Sequence, residues 1–583
     1  MTVFAEISRI TPVGTLMLWL PPTALALWVW FRMTARWLHL FQLSSYQHPS
    51  YRRRLREARG EVLCAPRFVL LPGVVLAFVL PPLWGALCAV LCAAVQLFCS
   101  PVRTQKGYVH PRRAVWLTLT VLFAAFALCA ALGETLCLPA ALACALGALL
   151  ARFPVGVPAK IALVFTPRAK RLLVTGALCA AVPAAALWFL HPACALAVLA
   201  LATLFQPWLL MGYNTLNAPR EARISQRFVD EARDKLRAMP RLTVIGITGS
   251  FGKTSVKQFL FGLLSTKYHT YMTPGNYNTT LGVTRAVREG LQPTHEIFLC
   301  EMGARHAGDI RELCELAQPD LAVITAVGEQ HLETFGSLDG VRSAKLELYD
   351  AVRGRGLAFF NCDSAPLASA GLTESVVKCG SGEGLDYTVR NIFVDDNGSS
   401  FEIVPPDGEP MAFTTQLLGR ANVQNLTLSI AVAHHLGVPY ERMRAAVRRL
   451  TPAPHRLELR RGGAYTIIDD AYNANPVGAR NALETLSLCR GTRILVTPGM
   501  VELGDRQDTL NREMAQYAAA CCDVAVLIGR QAGVLREGLL AGNMPPERIH
   551  SFETIGQGLA FVASVPGGRA RMVLLLNDLP DQY

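Results

Sequence analysis

The sequence predicts a multi-pass α-helical membrane domain followed by two α/β domains. Three observations predict it. Long apolar runs are confined to the part before Met211, although 51% of all residues are hydrophobic and only 17% are charged; an ordinary soluble chain carries about a quarter charged. A short β-rich run, Leu242–Gly246, leads into a glycine-rich loop and a helical pattern, after which strand and helix patterns alternate to about His435. A second alternation starts near Leu450. The 583 residues are too many for one core. They divide as a membrane domain 1–212, a linker helix 213–241, a central domain 242–449 and a C-terminal domain 450–583.

The first apolar run, Val13–Phe31, is long enough to cross a bilayer, which takes roughly 20 residues. Its N-flank is not basic and more runs follow, which argues against a cleaved signal peptide. Phe68–Phe98, broken at Pro81-Pro82, reads as a hairpin of two short spans. Ala114–Gly133 with Leu136–Ala151, and Leu172–Leu190 with Ala193–Met211, read as two more hairpins. Basic residues collect in three loops: Arg32, Arg36, Arg52, Arg53, Arg54, Arg56 and Arg59; then Arg103, Lys106, Arg112 and Arg113; then Arg152, Lys160, Arg168, Lys170 and Arg171. The turns at Pro81-Pro82, Glu134-Thr135 and His191-Pro192 hold no Lys or Arg. The positive-inside rule then puts the basic loops in the cytosol, with about seven crossings and the N-terminus outside. The expected location is the cytoplasmic (inner) membrane, multi-pass, with the remaining domains cytosolic. One span would suffice as an anchor, so the number of spans points to a membrane lipid, a lipid-linked substrate or a partner.

The net charge of +12 is explained by those loops, and no recognition motif accompanies it, so nucleic-acid binding is excluded. Many of the 16 cysteines lie in apolar runs, where they act as small hydrophobes, and none forms a CxxC pair. From Pro219 the chain becomes charged; Ile224, Phe228, Ala232 and Leu236 recur every fourth residue, giving a short helix with one apolar face to pack on the next domain.

The loop Gly246-Ile-Thr-Gly249-Ser-Phe-Gly252-Lys253-Thr254-Ser255 sits between strand and helix, the context a phosphate cradle needs. Glycines let backbone N–H groups converge on phosphate oxygens, and the helix N-terminus adds partial positive charge. Lys253 is placed to reach the terminal phosphates, and the Thr254 hydroxyl to hold Mg²⁺. The ordinary loop of this kind has a glycine where this chain has Ile247. Here the pattern is GxxGxxGKT.

In this form the loop resembles that of the Mur ligase family, most of all the branch that adds D-Ala-D-Ala to a UDP-linked muramoyl tripeptide. The resemblance runs from about Leu242 to Leu576 through several blocks in family order. These are Thr273-Pro-Gly-Asn276-Tyr-Asn278, Ile297-Phe-Leu-Cys-Glu301-Met-Gly, His331-Leu-Glu-Thr-Phe-Gly-Ser and Ser343-Ala-Lys345-Leu-Glu. Gly419-Arg-Ala-Asn422-Val-Gln-Asn425, Pro454-His455-Arg456-Leu-Glu458, Asp469-Asp470-Ala-Tyr472-Asn473-Ala-Asn475-Pro476 and Gly499-Met-Val-Glu502-Leu-Gly504 complete them.

The resemblance implies a P-loop-type central domain, a Rossmann-like C-terminal domain and an ATP-dependent carboxylate–amine ligase of peptidoglycan biosynthesis that forms ADP and phosphate through an acyl phosphate. It implies that Gly249, Gly252, Lys253 and Thr254 cradle ATP and that Asn422 and Asn425 read the adenine. Arg456 faces the γ-phosphate and Asp470 lies near the ribose and phosphates. Thr254 and Glu301 hold one Mg²⁺; His331 and Lys345 serve a second, with Lys345 carbamylated so that it presents a carboxylate to the metal. Asn276, Tyr472, Asn473 and Asn475 fall on the substrate side. The partners would be a peptidyl carboxylate acceptor and an amino acid or dipeptide donor. Taken singly these residues have ordinary readings. Glu301 could be a surface carboxylate, His331 a loop histidine, Lys345 a solvated lysine, and Asn422 and Asn425 helix caps. Tyr472, Asn473 and Asn475 could be turn chemistry.

The chain also departs from the family. Apolar spans stand where the UDP-sugar domain would be. The family's histidine before the first adenine-side asparagine is Ala421, its GDMxELG aspartate is Gly499, and Leu574–Tyr583 contains no KGSR-like element. These departures fall on substrate recognition and put a soluble UDP-linked acceptor in doubt. A rival reading is a non-catalytic, ATP-binding membrane scaffold that recruits cell-wall synthesis proteins. An ATP-driven transporter lacks both paired ATPase signatures and charged residues within the spans.

Overall fold

The structure, a computed structural model, describes residues 12–57, 74, 78, 102–104, 107–109 and 163–577, apart from 329–331, 396, 463–464, 472–474, 502, 504–505 and 567–570. The spans expected within Phe68–Phe98, Ala114–Gly133 and Leu136–Ala151 lie outside the described residues. The chain forms two compact units, residues 1–224 and 225–583.

In the first unit, helix α1 (Pro12–Leu43) is followed by the basic helix α2 (His48–Glu57). A short antiparallel pair, β1 (Val102–Thr104) and β2 (Gly107–Val109), falls in the second basic loop. Helices α3 (Pro167–Trp188) and α4 (Pro192–Arg237) form the third expected hairpin and turn where His191-Pro192 was read as a loop. Among the described residues these two helices are long and apolar enough to cross a membrane. Trp19, Ala26 and Trp30 pack against Ala180, Ala184, Leu196 and Leu199. Val174, Leu178 and Val182 on α3, and Leu201, Phe205 and Trp208 on α4, stay exposed at helical spacing. Near the basic ends, Arg171 pairs with Glu221 through two bonds of 2.5 and 2.7 Å, and the Asn217 amide donates to the Thr175 hydroxyl at 2.8 Å. The sequence suggests a separate linker helix after the last span. Instead α4 runs unbroken to Arg237, with Pro207 and Pro219 inside it.

The second unit holds two sheets. The first has nine strands: β3 (Thr243–Thr248), β4 (Thr270–Met272), β5 (Ile297–Glu301), β6 (Leu321–Ile324), β7 (Leu357–Asn361), β8 (Val376–Gly380), β9 (Tyr387–Asp395), β10 (Gly398–Val404) and β11 (Met411–Thr415), in the order β11-β10-β9-β8-β7-β6-β3-β5-β4. Its parallel half is buried on both faces, as continuous apolar strands such as Ile297–Glu301 and Leu321–Ile324 require. One side packs on α5 (Lys253–Leu264) through Val256, Phe259, Leu260 and Leu263; the other carries α6 (Thr280–Glu289) and α7 (Leu338–Val352). The β-rich stretch Tyr387–Phe413 reads from sequence as a small appended sheet. It is part of the main one: β9 continues it through parallel pairs Cys379↔Tyr387 and Gly380↔Thr388, and β10 and β11 add antiparallel. Without β9, β8 would be an open edge with unpaired backbone groups. The C-terminal end of α4 packs on this domain through the fully buried Ala232. Lys235 Nζ donates to the last carbonyls of α6, Val287 at 2.9 Å and Arg288 at 3.1 Å.

After α8 (Arg420–His435) comes the second sheet, β12 (Glu458–Gly462), β13 (Tyr465–Asp470), β14 (Thr492–Thr497), β15 (Val524–Ile528), β16 (Ile549–Phe552) and β17 (Arg571–Leu576), in the order β12-β13-β17-β14-β15-β16. All its pairings are parallel except β12 with β13, and helix α9 (Pro476–Ser487) buries Ala479, Ala482, Leu483 and Leu486 against it.

Candidate active site

The site lies at the C-terminal ends of β3, β5 and β6, where a parallel sheet gathers its loops. Gly249 (φ 149°) and Gly252 (φ 84°) occupy backbone regions that side chains rarely adopt. A Cβ at 249 would collide with the Thr325 hydroxyl, and one at 252 would lie 2.7 Å from Asn425 Oδ1. The loop is clamped to the end of β6. Ser250 N–H donates to the Ala326 carbonyl at 2.7 Å, Ser250 Oγ bonds both backbone groups of Gly328, and Thr325 Oγ1 donates to the Phe251 carbonyl. Helix α5 starts on Gly252 with no side-chain cap, which leaves its first N–H groups facing the cradle.

Lys253 Nζ donates to the Gly249 carbonyl at 2.6 Å. Burial pulls its ammonium down to about 8; Glu301 opposes that shift and Arg456 adds to it. The residues on either side of Arg456, His455 (φ 59°) and Leu457 (φ 48°), are both left-handed. Strain of this kind costs on the order of 1 kcal/mol per residue, persists only where the surroundings enforce it, and clusters at functional sites.

Glu301, 1% exposed, ends β5. Thr254 Oγ1 lies 3.3 Å from both its carboxylate oxygens, Asn278 Nδ2 donates to Oε1 at 3.2 Å, and Lys257 Nζ pairs with Oε2 at 2.9 Å. A buried carboxylate beside a hydroxyl is a hard oxygen set that suits Mg²⁺, and the glycine cradle with its cations suits a nucleotide triphosphate. Asn276, expected on the substrate side, is exposed, and it is Asn278, two residues on, that reaches Glu301.

Lys345 is not a solvated lysine. It is 2% exposed, and burial, reinforced by the charge of Lys253, brings its amine down to about 7. His331, its expected neighbour, lies outside the described residues, as do Tyr472 and Asn473. The Asn422 amide donates back to the Leu418 carbonyl at 2.8 Å, whereas the Asn425 side chain meets the phosphate loop. Asn475 caps α9, its Oδ1 accepting from Gly478 N–H at 2.9 Å; that cap is the turn chemistry weighed against a substrate role. Gly499 has φ 85°, and a Cβ there would stand 2.9 Å from Asn511 Oδ1. A residue without a Cβ suits this tight backbone. His455, Glu458 and Asp469 converge closely enough to hold a metal ion. Arg460 already supplies the cation there, 2.9 Å from Glu458 and 3.1 Å from Asp469.

Burial pushes the Asp470 carboxyl up to about 6, against the opposing charge of Arg456 and the N–H of Leu457, which donates to it at 3.2 Å. The folded chain therefore keeps this proton up to about pH 6, while the unfolded chain releases it near the ordinary 3.8. Between those values the folded state binds more protons, so stability falls as pH rises through the window. Asp470→Asn should flatten that slope in thermal melts run from pH 4 to 6.

Two domain families match this part of the chain: Mur ligase middle domain over residues 247–433, and Mur ligase, glutamate ligase domain over residues 455–576. The UDP-N-acetylmuramoyl-tripeptide--D-alanyl-D-alanine ligase of Bacillus subtilis is 33% identical over 301 residues, 51% of this chain. That of Escherichia coli is 30% identical over 298 residues, 50% of this chain. The match spans 65% of the length of each of these relatives. Among solved structures, MurF from Acinetobacter baumannii superposes with a TM-score of 0.54 at 28% identity, covering 60% of this chain and 77% of its own. MurF ligase from Thermotoga maritima in complex with ADP gives 0.54 at 25% identity, covering 61% and 80%. The two matched domains account for more than half of the 583 residues, and the chain belongs to the Mur ligase family.

Proposed function

We propose that this protein is an ATP-dependent carboxylate–amine ligase that extends a peptidoglycan-type precursor at the inner face of a membrane. One observation carries the chemistry: the glycine cradle, Lys253 and the Thr254–Glu301 oxygen pair converge at one end of the sheet, with Arg456 close enough to depress Lys253. A carboxylate oxygen of the acceptor attacks the γ-phosphorus, ADP leaves, and an acyl phosphate forms. The donor amine attacks the acyl carbon, phosphate leaves with the C–O electron pair, and the nitrogen gives up a proton. Lys253, Arg456 and the first N–H groups of α5 hold the phosphate oxygens and offset their charge, which is most of what phosphoryl transfer requires. Thr254 and Glu301 would hold one Mg²⁺; His331 and carbamylated Lys345 would hold a second. Bound there, Mg²⁺ supplies Lewis-acid stabilisation of the transferring oxygens. The relatives named above act on a UDP-muramoyl tripeptide and D-Ala-D-Ala, so a peptidyl carboxylate and a dipeptide amine are the substrates to try first.

The first unit supports a membrane setting. Helices α3 and α4 carry outward apolar rows and have Arg168, Lys170 and Arg171 at one end. In this reading the domain boundary lies within α4, the spans take the place of the UDP-sugar domain, and the acceptor is lipid-linked. Anionic pyrophosphate head groups would gather near Arg52–Arg59 and Arg168–Arg171, at roughly 1 kcal/mol per basic residue near the surface.

The test is to incubate purified full-length protein with ATP, Mg²⁺, a dipeptide donor and either lipid-linked or UDP-linked peptides, and follow phosphate release. A fragment starting at Asn217 should keep ATP binding and lose activity on the lipid-linked acceptor. Equal activity of that fragment on a soluble UDP-linked peptide reduces the spans to an anchor. Tags at residue 1 should report outside and tags after Tyr583 inside; both inside would refute the odd span count.

A further inference from the structure

Lys257 is among the most completely enclosed side chains in the second unit, yet it carries a charge. It lies on α5, one helical turn beyond Lys253 and on the same face as Lys253 and Thr254. Its ammonium has three N–H donors, and three acceptors surround it: Glu301 Oε2 at 2.9 Å, the Thr273 carbonyl at 2.8 Å and the Gly275 carbonyl at 2.7 Å. Lysine and glutamate side chains are each 2% exposed.

Fold stability does not account for such a pair. Two charges removed from water recover little more than their desolvation cost, and an apolar pair of equal volume often does as well. What the pair fixes is position. Glu301 is held from three sides, by Lys257, Asn278 and Thr254, and its backbone N–H donates to Thr273 Oγ1 at 3.2 Å. The turn at 273–275 is held by its two carbonyls, and Gly275 takes a left-handed conformation (φ 49°) as the chain passes to Asn276 and Asn278. The ring Lys257–Glu301–Asn278 thus closes through the same turn that Lys257 grips. A single ammonium sets the orientation of the metal-side carboxylate and the placement of the substrate-side loop.

We propose that Lys257 is a positioning residue that couples the divalent-metal site at Glu301 to the 273–278 turn. The inference rests on reading Thr254 and Glu301 as metal ligands beside a nucleotide. The charge on Lys257 keeps the Glu301 carboxylate turned toward Thr254, so the oxygen pair is assembled before a metal arrives. Lysine suits this task better than arginine, because its donors are compact and tetrahedral whereas a guanidinium is a flat fork.

The test is Mn²⁺ binding to the full-length protein with saturating ADP, read by electron paramagnetic resonance, alongside ADP binding without metal. Lys257→Gln keeps a donor for the turn and removes the charge. It should weaken Mn²⁺ binding at least tenfold, leave metal-free ADP binding within twofold, and lower the melting temperature only slightly. Lys257→Arg should also fail to restore wild-type Mn²⁺ affinity. A purely structural lysine would shift the melting temperature without separating those two affinities, and wild-type Mn²⁺ affinity in either folded variant overturns the proposal. Should neither variant fold, hydrogen exchange in the wild-type 273–278 turn decides. Coupling requires slower exchange there when Mn²⁺ joins ADP, and unchanged exchange overturns it. Wild-type protein that binds no Mn²⁺ in the presence of ADP would instead refute the metal-site reading on which the inference depends.

Discussion

Lys253→Ala should lower substrate-dependent phosphate release by about 10³-fold or more while leaving the chain folded. Removing one preorganised donor from a charged transition state costs on the order of 10²–10³ in rate, and in the proposed mechanism this donor also brings a full charge to the transferring phosphoryl group. Among the described residues the ammonium bonds within its own loop, to the carbonyls of Gly249 at 2.6 Å and Ser250 at 3.4 Å. Those bonds are local, so their loss leaves the sheet and α5 intact. Although burial lowers it to about 8, Lys253 is still mostly protonated at neutral pH. It can exchange two carbonyl partners for phosphate oxygens when ATP enters. Phosphate release by Lys253→Ala at the wild-type rate would sink the ligase mechanism and leave the ATP-binding scaffold as the better reading.

The phosphate loop was legible because its chemistry is local. Glycines at 249 and 252, a following Lys-Thr and a preceding apolar strand each have one physical reason to be there, and those reasons agree. Glu301 by itself reads as a surface carboxylate at the end of an apolar strand, and only its place in the order of family blocks points to a metal. Lys257 was not singled out, although its spacing from Lys253 and Thr254 puts it on their helix face. Nothing in the sequence says that residues 273 and 275 will aim their carbonyls at it, because that contact depends on how β4 and β5 lie side by side. Asn278 is not marked out from Asn276 in the sequence for the same reason. Both stand in one turn, and the left-handed Gly275 decides which of them faces Glu301. Strands β12 and β16 show no strand pattern in the sequence because both are edge strands. Glu458–Gly462 is charged, and Ile549–Phe552 is short and half polar, so neither shows the apolar run of a buried parallel strand. The extent of the nine-stranded sheet was hidden in turn by Gly and Pro residues near Tyr387–Phe413, which mark turns equally well in an appended sheet and in an extension of the main one.

Lys345→Ala should be nearly inactive, down by about 10²–10³, and a short carboxylate such as acetate should restore part of the loss. A lysine with 2% of its surface exposed has few ways to remain charged. The Lys253 ammonium presses it further toward the neutral form, and the amine reaches about 7. At neutral pH far more of it is therefore an unprotonated amine than in an ordinary lysine, where the share is less than about one part in a thousand. Only the unprotonated amine adds to CO₂: the nitrogen attacks carbon, a carbamate forms, and one proton is released to water. The product turns a cation that would repel Mg²⁺ into an anion that would hold it. Bicarbonate should accordingly stimulate wild-type protein depleted of CO₂ and have no such effect on Lys345→Ala, which has no amine to modify. Acetate should do the reverse, since it fills the space left by the side chain with a carboxylate and adds nothing where a carbamate already sits. Intact-protein mass measured at neutral pH, before any acid step removes the group, should show one added CO₂ on the wild-type chain and none on the variant. Full activity of Lys345→Ala would make the burial incidental and refute the carbamate. Strong loss without carboxylate rescue, and with no added mass on the wild type, would make Lys345 a buried cation acting directly on the nucleotide.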